Sequence, residues 1–210
     1  MEANARPLRA DAARNRTRVL DAARTAFAEH GLDVGVEEIA RRAGVGKGTL
    51  YRRFPTKEAL VRAIFDDILE EVETFSRETD EEPDPRAAFA HYLNASARMQ
   101  ASNQGFYDVV ARGLGAAALS DEQRLRLLAA AGRPLQRAQQ AGAVRADLVP
   151  EDVVIMLRML GAATRPAPDG HPMDEHWPRY LGLLLDSTRP GAATPLPAQP
   201  WQGQDDAERS

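Results

Sequence analysis

Between Ala43 and Phe54 the chain reads AGVGKGTLYRRF. Gly44, Gly46 and Gly48 alternate around Lys47, and Thr49 follows. Such a stretch suits an anion: glycine lets backbone come close, and lysine supplies the charge. Two chemistries share these parts, a nucleotide phosphate loop and the turn before a DNA-reading helix. A phosphate loop needs G-x-x-x-x-G-K-[ST] between a strand and a helix. With Gly46 and Lys47 at its end, the first glycine falls on Arg41 and the metal-holding hydroxyl on Gly48. The dinucleotide pattern G-x-G-x-x-G fails at Thr49, and the preceding EEIARRA is patterned as helix, not strand. No nucleotide cofactor is expected, and no other cofactor motif is present.

A helix-turn-helix needs two short helices joined by three or four residues, often with glycine. IARRA, GVG and KGTLYRRF supply that spacing. The second helix must be apolar inside and small, polar and basic outside, because its first residues meet base edges. Leu50 and Phe54 form the inner side. Lys47, Gly48, Thr49, Tyr51, Arg52 and Arg53 are left outside as the candidate DNA-binding set. Charge agrees: residues 1–60 hold 12 Lys/Arg against 8 Asp/Glu, whereas residues 61–210 hold 15 against 23. A basic head on an acidic body suits a protein that presents one end to a polyanion.

The elements that must position these residues are helices throughout. Leu20, Ala23 and Phe27 mark a first helix over 14–30, stopped by Gly31. VEEIARRA (36–43) is the second, ending at Gly44, and residues 47–54 are the third, ended by Pro55. Thr56 caps a long helix to Glu78 with Ile64, Phe65, Ile68, Val72 and Phe75 in its stripe. Asp84-Pro85 opens another to about Ala101. Further helices are expected over 105–113, from the capping box Ser120–Gln123 to Ala141 with a kink at Pro134, from Pro150 to Ala163, and within 173–188. The chain therefore reads as all-α with about nine helices. A flexible basic arm (1–13), a helix-turn-helix domain (14–58), a helical body (59–189) and a disordered tail (190–210) are the expected parts.

Residues 14–65 resemble the N-terminal domain of TetR-type transcriptional repressors. AFAEHG, EEIARRAGV, KGTLYRRF and KEALVRAIF occur in that family's order and spacing. GAVRADLVPEDV (142–153) is similar to the SbtR-like branch. The resemblance implies that Tyr51, Arg53 and Lys57 hold phosphate and that Lys47, Thr49 and Arg52 reach base edges. It also implies a homodimer on double-stranded DNA whose C-terminal body senses a small-molecule effector, acting as a repressor released from a palindromic operator. Serine is common in that family where Gly46 stands, and histidine where Arg53 stands.

Phe75, Tyr92, Met99, Phe106, Tyr107, Met156 and Met159 are candidate ligand-binding residues, with helical core as the alternative for each. Arg112 and His91 are candidates to orient a ligand's polar group. Arg6, Arg9, Arg14, Arg16 and Arg18 suit either a minor-groove arm or a solvated terminus. HPMDEH (171–176) puts two histidines on different helical faces, so no metal site is expected. There is no cysteine and no G-x-S-x-G, which removes thiol chemistry and gives hydrolase chemistry no support. The first sixteen residues lack an apolar core and no apolar run approaches roughly 18 to 20 residues, so a cytoplasmic protein away from membranes is expected. The rival readings are a constitutive architectural DNA-binding protein without ligand and an all-α enzyme.

Overall fold

The computed structural model describes residues 5–113, 119–162, 177–192 and 194–196. Among them are nine α-helices and no strand. They are α1 (Ala5–His30), α2 (Val36–Ala43), α3 (Lys47–Arg53), α4 (Lys57–Glu78), α5 (Pro85–Ser102), α6 (Gln104–Gly113), α7 (Asp121–Gln140), α8 (Pro150–Ala162) and α9 (Trp177–Ser187). The expected helices α2 to α9 are present within a few residues of their expected ends. Pro134 lies inside α7, which continues on both sides of it. HPMDEH and residues 197–210 of the tail lie outside the described residues.

Two differences concern the ends. α1 starts at Ala5, nine residues before the expected Arg14. Its added stretch is rich in alanine and arginine, and Pro7 sits in the first turn, where no intrahelical N–H bond is lost. At the other end, Pro190–Ala192 form a 3₁₀ turn, and the Thr194 carbonyl accepts a 2.7 Å bond from the Arg145 guanidinium. A buried arginine thus holds the start of a segment whose composition alone reads as disordered.

The chain forms two compact units, one within Met1–Ile68 and Asn103–Ser120, the other within Leu69–Ser102 and Asp121–Ser210. The first unit extends past residues 14–58 because α4 contributes its first half and α6 packs against α1. Its core holds Leu20, Phe27, Ile39, Leu50, Ile64 and Phe106, all essentially without solvent exposure. Gly105 makes the α1–α6 approach close: a Cβ there would lie 2.9 Å from that of Ala28. Asp67 of α4 is bridged to α1 by Arg16 at 3.0 Å and Arg24 at 3.2 Å. Arg16 is therefore a strut between helices in this unit rather than part of a free arm.

In the second unit α5 packs against α7, α8 and α9. Phe89, Tyr92, Leu93, Leu135 and Leu160 are buried between them. Arginines tie the loops. Arg137 donates to the carbonyls of Thr79 and Glu82, and Arg86 to those of Ala143 at 3.0 Å and Leu185 at 2.8 Å. Asp152 accepts a 3.0 Å bond from the Val149 N–H, closing the start of α8 around Pro150.

Candidate nucleic-acid interface

The turn between α2 and α3 is built by two glycines in different roles. Gly44 ends α2 in the left-handed region (φ 64°), where a side chain would be strained. The Val45 N–H then returns to the Ala40 carbonyl at 3.0 Å, which closes the helix end. Gly46 is the extended N-cap of α3 and makes no side-chain capping bond, as glycine must. Its carbonyl accepts from Leu50 at 3.1 Å, starting the helix at once. The Phe54 N–H bonds to the Leu50 carbonyl at 2.8 Å and ends α3 just before Pro55.

Within this seven-residue helix only Leu50 is buried. Phe54 is buried just beyond it. Lys47, Gly48, Thr49, Tyr51, Arg52 and Arg53 are all exposed, so the fold brings the six candidate residues to one solvent-facing helix. Nothing lies within 4 Å of a Cβ built on Gly48, so packing does not require glycine there. Tyr51 is a large ring left 41% exposed, with the Lys47 ammonium 5.8 Å from its centroid. Thr56 caps α4 through a 3.1 Å bond from the Ala59 N–H. Lys57 is half-buried in the first turn and donates to the Leu32 carbonyl at 2.9 Å.

Neighbouring charges sort the arginines and lysines by availability. Glu38 accepts from both Arg41 and Arg42, which hold its carboxyl down at about 2. Arg42 also donates to Glu29 at 2.6 Å. These two arginines are engaged inside the unit. Lys47 pairs with Glu37 of α2, which raises the lysine and lowers the carboxyl from their ordinary ranges. Glu37 is absent from the sequence-derived candidates. Its place in the first turn of α2 reads as a helix-dipole acid, and only the folded turn puts it beside Lys47.

The candidate ligand residues divide between the units. Phe106 and Tyr107 belong to the first, where Phe106 lies 5.4 Å from Phe65 and 6.4 Å from Phe27 between ring centroids. Phe75, Tyr92, Met99, Met156 and Met159 belong to the second. Tyr92, Met99 and Met156 are buried, Phe75 is half-buried and Met159 is 54% exposed. His91 is exposed, 4.0 Å from Glu78. The Arg112 side chain lies outside the described residues. Among the described residues no group of three His, Asp or Glu could hold a metal ion, and no helix is long and apolar enough to cross a membrane.

Two short helices joined by a glycine turn, the second with a basic face turned to solvent, form a helix-turn-helix, and the described residues around it are helical. Residues 19–64 match the bacterial regulatory proteins of the tetR family. Residues 84–189 match the C-terminal domain of SbtR-like transcriptional regulators. A solved TetR regulator from Mycobacterium vanbaalenii is 36% identical, with TM-score 0.63 over 87% of this chain and 99% of that one. The chain belongs to the tetR family. The regulator UidR of Escherichia coli is 40% identical over 58 residues, which is 27% of this chain and only 30% of UidR. FadR of Bacillus subtilis, solved in complex with stearoyl-CoA, shares the fold at TM-score 0.62 and 19% identity, over 80% of this chain and 97% of that one.

Proposed function

We propose that this protein is a cytoplasmic, ligand-responsive repressor that leaves a near-palindromic operator when a small molecule binds its second unit. The carrying observation is α3: six of its seven residues face solvent, and they are the small, polar, aromatic and basic types that contact DNA. Lys47, Thr49 and Arg52 read base edges, and Tyr51 and Arg53 hold phosphate. Lys57 joins them by leaving the Leu32 carbonyl. The ligand-responsive part takes support from the SbtR-like second unit and from FadR, a fold-mate that binds an acyl-CoA.

A homodimer fits the surface. Met159 of α8 and Leu183 of α9 are each more than half exposed, on two helices that pack together. Large apolar side chains left out on adjacent helices suit a partner of the same kind. Two reading helices related by a two-fold axis require half-sites about 34–36 Å apart or a related spacing.

The test is selection of genomic fragments by the purified chain, starting with DNA upstream of its own gene, with light scattering on the same sample. A near-palindromic footprint and a mass twice the 23.0 kDa chain are expected. Sequence-independent binding at every salt concentration would favour an architectural protein instead. A 23.0 kDa species alone would remove the dimer.

Glu37 gives a separate expectation. In the free protein its carboxylate neutralises Lys47 and adds negative charge beside the reading helix. Glu37→Gln should therefore strengthen non-specific DNA binding by about three- to tenfold and steepen its salt dependence. Fluorescence anisotropy on unrelated duplexes checks this. Unchanged or weaker binding would mean that Glu37 does not restrain Lys47.

A further inference from the structure

In the first unit one carboxylate joins α1 to the first half of α4. Asp67 Oδ1 accepts from the Arg16 guanidinium at 3.0 Å, and Oδ2 from that of Arg24 at 3.2 Å. Both arginines belong to α1 and stand eight residues apart, about 12 Å along the helix axis. An arginine side chain is too short to cover that distance, so Asp67 lies between the two along α1. A slide of α4 either way along α1 therefore stretches one of the pairs.

The clamp spans a gap. α1 packs backbone-close on α2 and α6, and less closely on α4. Long side chains make the link, and they are 28% (Arg16), 18% (Arg24) and 22% (Asp67) exposed. Ion pairs placed between core and surface add little net stability, because lost hydration offsets the attraction. Arg24 adds a cost: its Nε is shielded from solvent and has no hydrogen-bond partner. Apolar side chains could fill the gap without that cost. What the charges supply is direction. Apolar contact is non-directional, whereas two charge-assisted bonds to one carboxylate hold a single register.

Asp67 also stands at a boundary. The first unit's share of α4 ends at Ile68, and the helix runs on to Glu78 in the second. At the other end only Phe54, Pro55 and Thr56 separate α3 from α4. We infer that Asp67 is a positioning residue for DNA binding: clamped by Arg16 and Arg24, it fixes the register of α4 on α1, and so the spacing at which a dimer presents its two reading helices. This role presupposes a dimer on a two-part operator and adds what sets the half-site spacing.

The full chain and its Asp67→Asn and Arg16→Gln variants test it. A duplex that the wild type selects from a random-sequence pool is rebuilt with base pairs added or removed between the half-sites. Anisotropy titrations give the affinity at each spacing, and circular dichroism of each variant reports folding. Asp67→Asn should bind the selected duplex about tenfold more weakly and lose most of the preference for its spacing. The preferred half-site sequence should stay the same. Arg16→Gln keeps the Arg24 pair and should show a smaller change of the same kind; it carries the test if Asp67→Asn does not fold. A wild-type spacing preference in the folded variants overturns the inference. So does an equal loss at every spacing, which marks an ion pair that only stabilises the unit. A changed half-site sequence overturns it too, because Asp67 would then act on base reading. A wild type that selects no spaced pair of half-sites overturns the dimeric reading, and the role of Asp67 with it.

Discussion

Replacing Arg52 and Arg53 together with alanine is expected to weaken specific DNA binding at least about a hundredfold while the protein stays folded. Each is an exposed residue of α3, and the helix keeps its anchors, Leu50 and Phe54. Surface substitutions of this kind usually change stability by only about 0.5 kcal/mol in either direction. The loss on DNA is larger because a good base contact is worth about 1–3 kcal/mol, and a two-fold dimer makes each contact twice. The single variants should separate the two roles. Arg53→Ala should weaken binding alike on all sequences and lower the salt slope by about two per dimer. Arg52→Ala should instead relax the preferred sequence at the base it reads. Anisotropy titrations at several salt concentrations, with circular dichroism of each variant, measure all of this. A double variant that binds with wild-type affinity and salt slope would take α3 off the DNA.

The reading helix was legible in the sequence because local rules set it. Gly44 supplies a left-handed stop, Gly46 an extended cap, and Pro55 an end. Leu50 and Phe54, four apart, could face only inward, which left the six polar and small residues outside. The Asp84-Pro85 start of α5 was equally local: the Asp84 carboxylate caps the Arg86 N–H at 2.9 Å. Partners distant in sequence were not legible. Lys57 reads as a phosphate ligand, yet in the free chain its ammonium rests on the Leu32 carbonyl, twenty-five residues away in sequence. Lys47 meets Glu37 only once the turn has folded.

α6 carries the sharpest disagreement between pattern and packing. Its segment lies in the sequence between α5 and α7, both of the second unit, and its aromatic pair reads as either helical core or ligand lining of that same body. Phe106 is instead 1% exposed in the first unit, against Phe65 of α4 and Phe27 of α1. Periodicity identifies an inward face but not the helix that covers it. Gly105 then lets α6 lie close on Ala28, so the ring has little room to be replaced by rearrangement. Phe106→Ala should accordingly open a cavity and destabilise the first unit by about 3–5 kcal/mol. Operator affinity should fall as folded reading heads become scarce, while the preferred sequence stays the same. Phe106→Leu should recover much of both, since it restores apolar volume without the ring. Urea unfolding followed by circular dichroism, with DNA titration of the same variants, measures each effect. If Phe106→Ala unfolds like the wild type and holds its operator normally but no longer responds to an inducer, Phe106 belongs to a ligand site, and the first unit does not depend on α6.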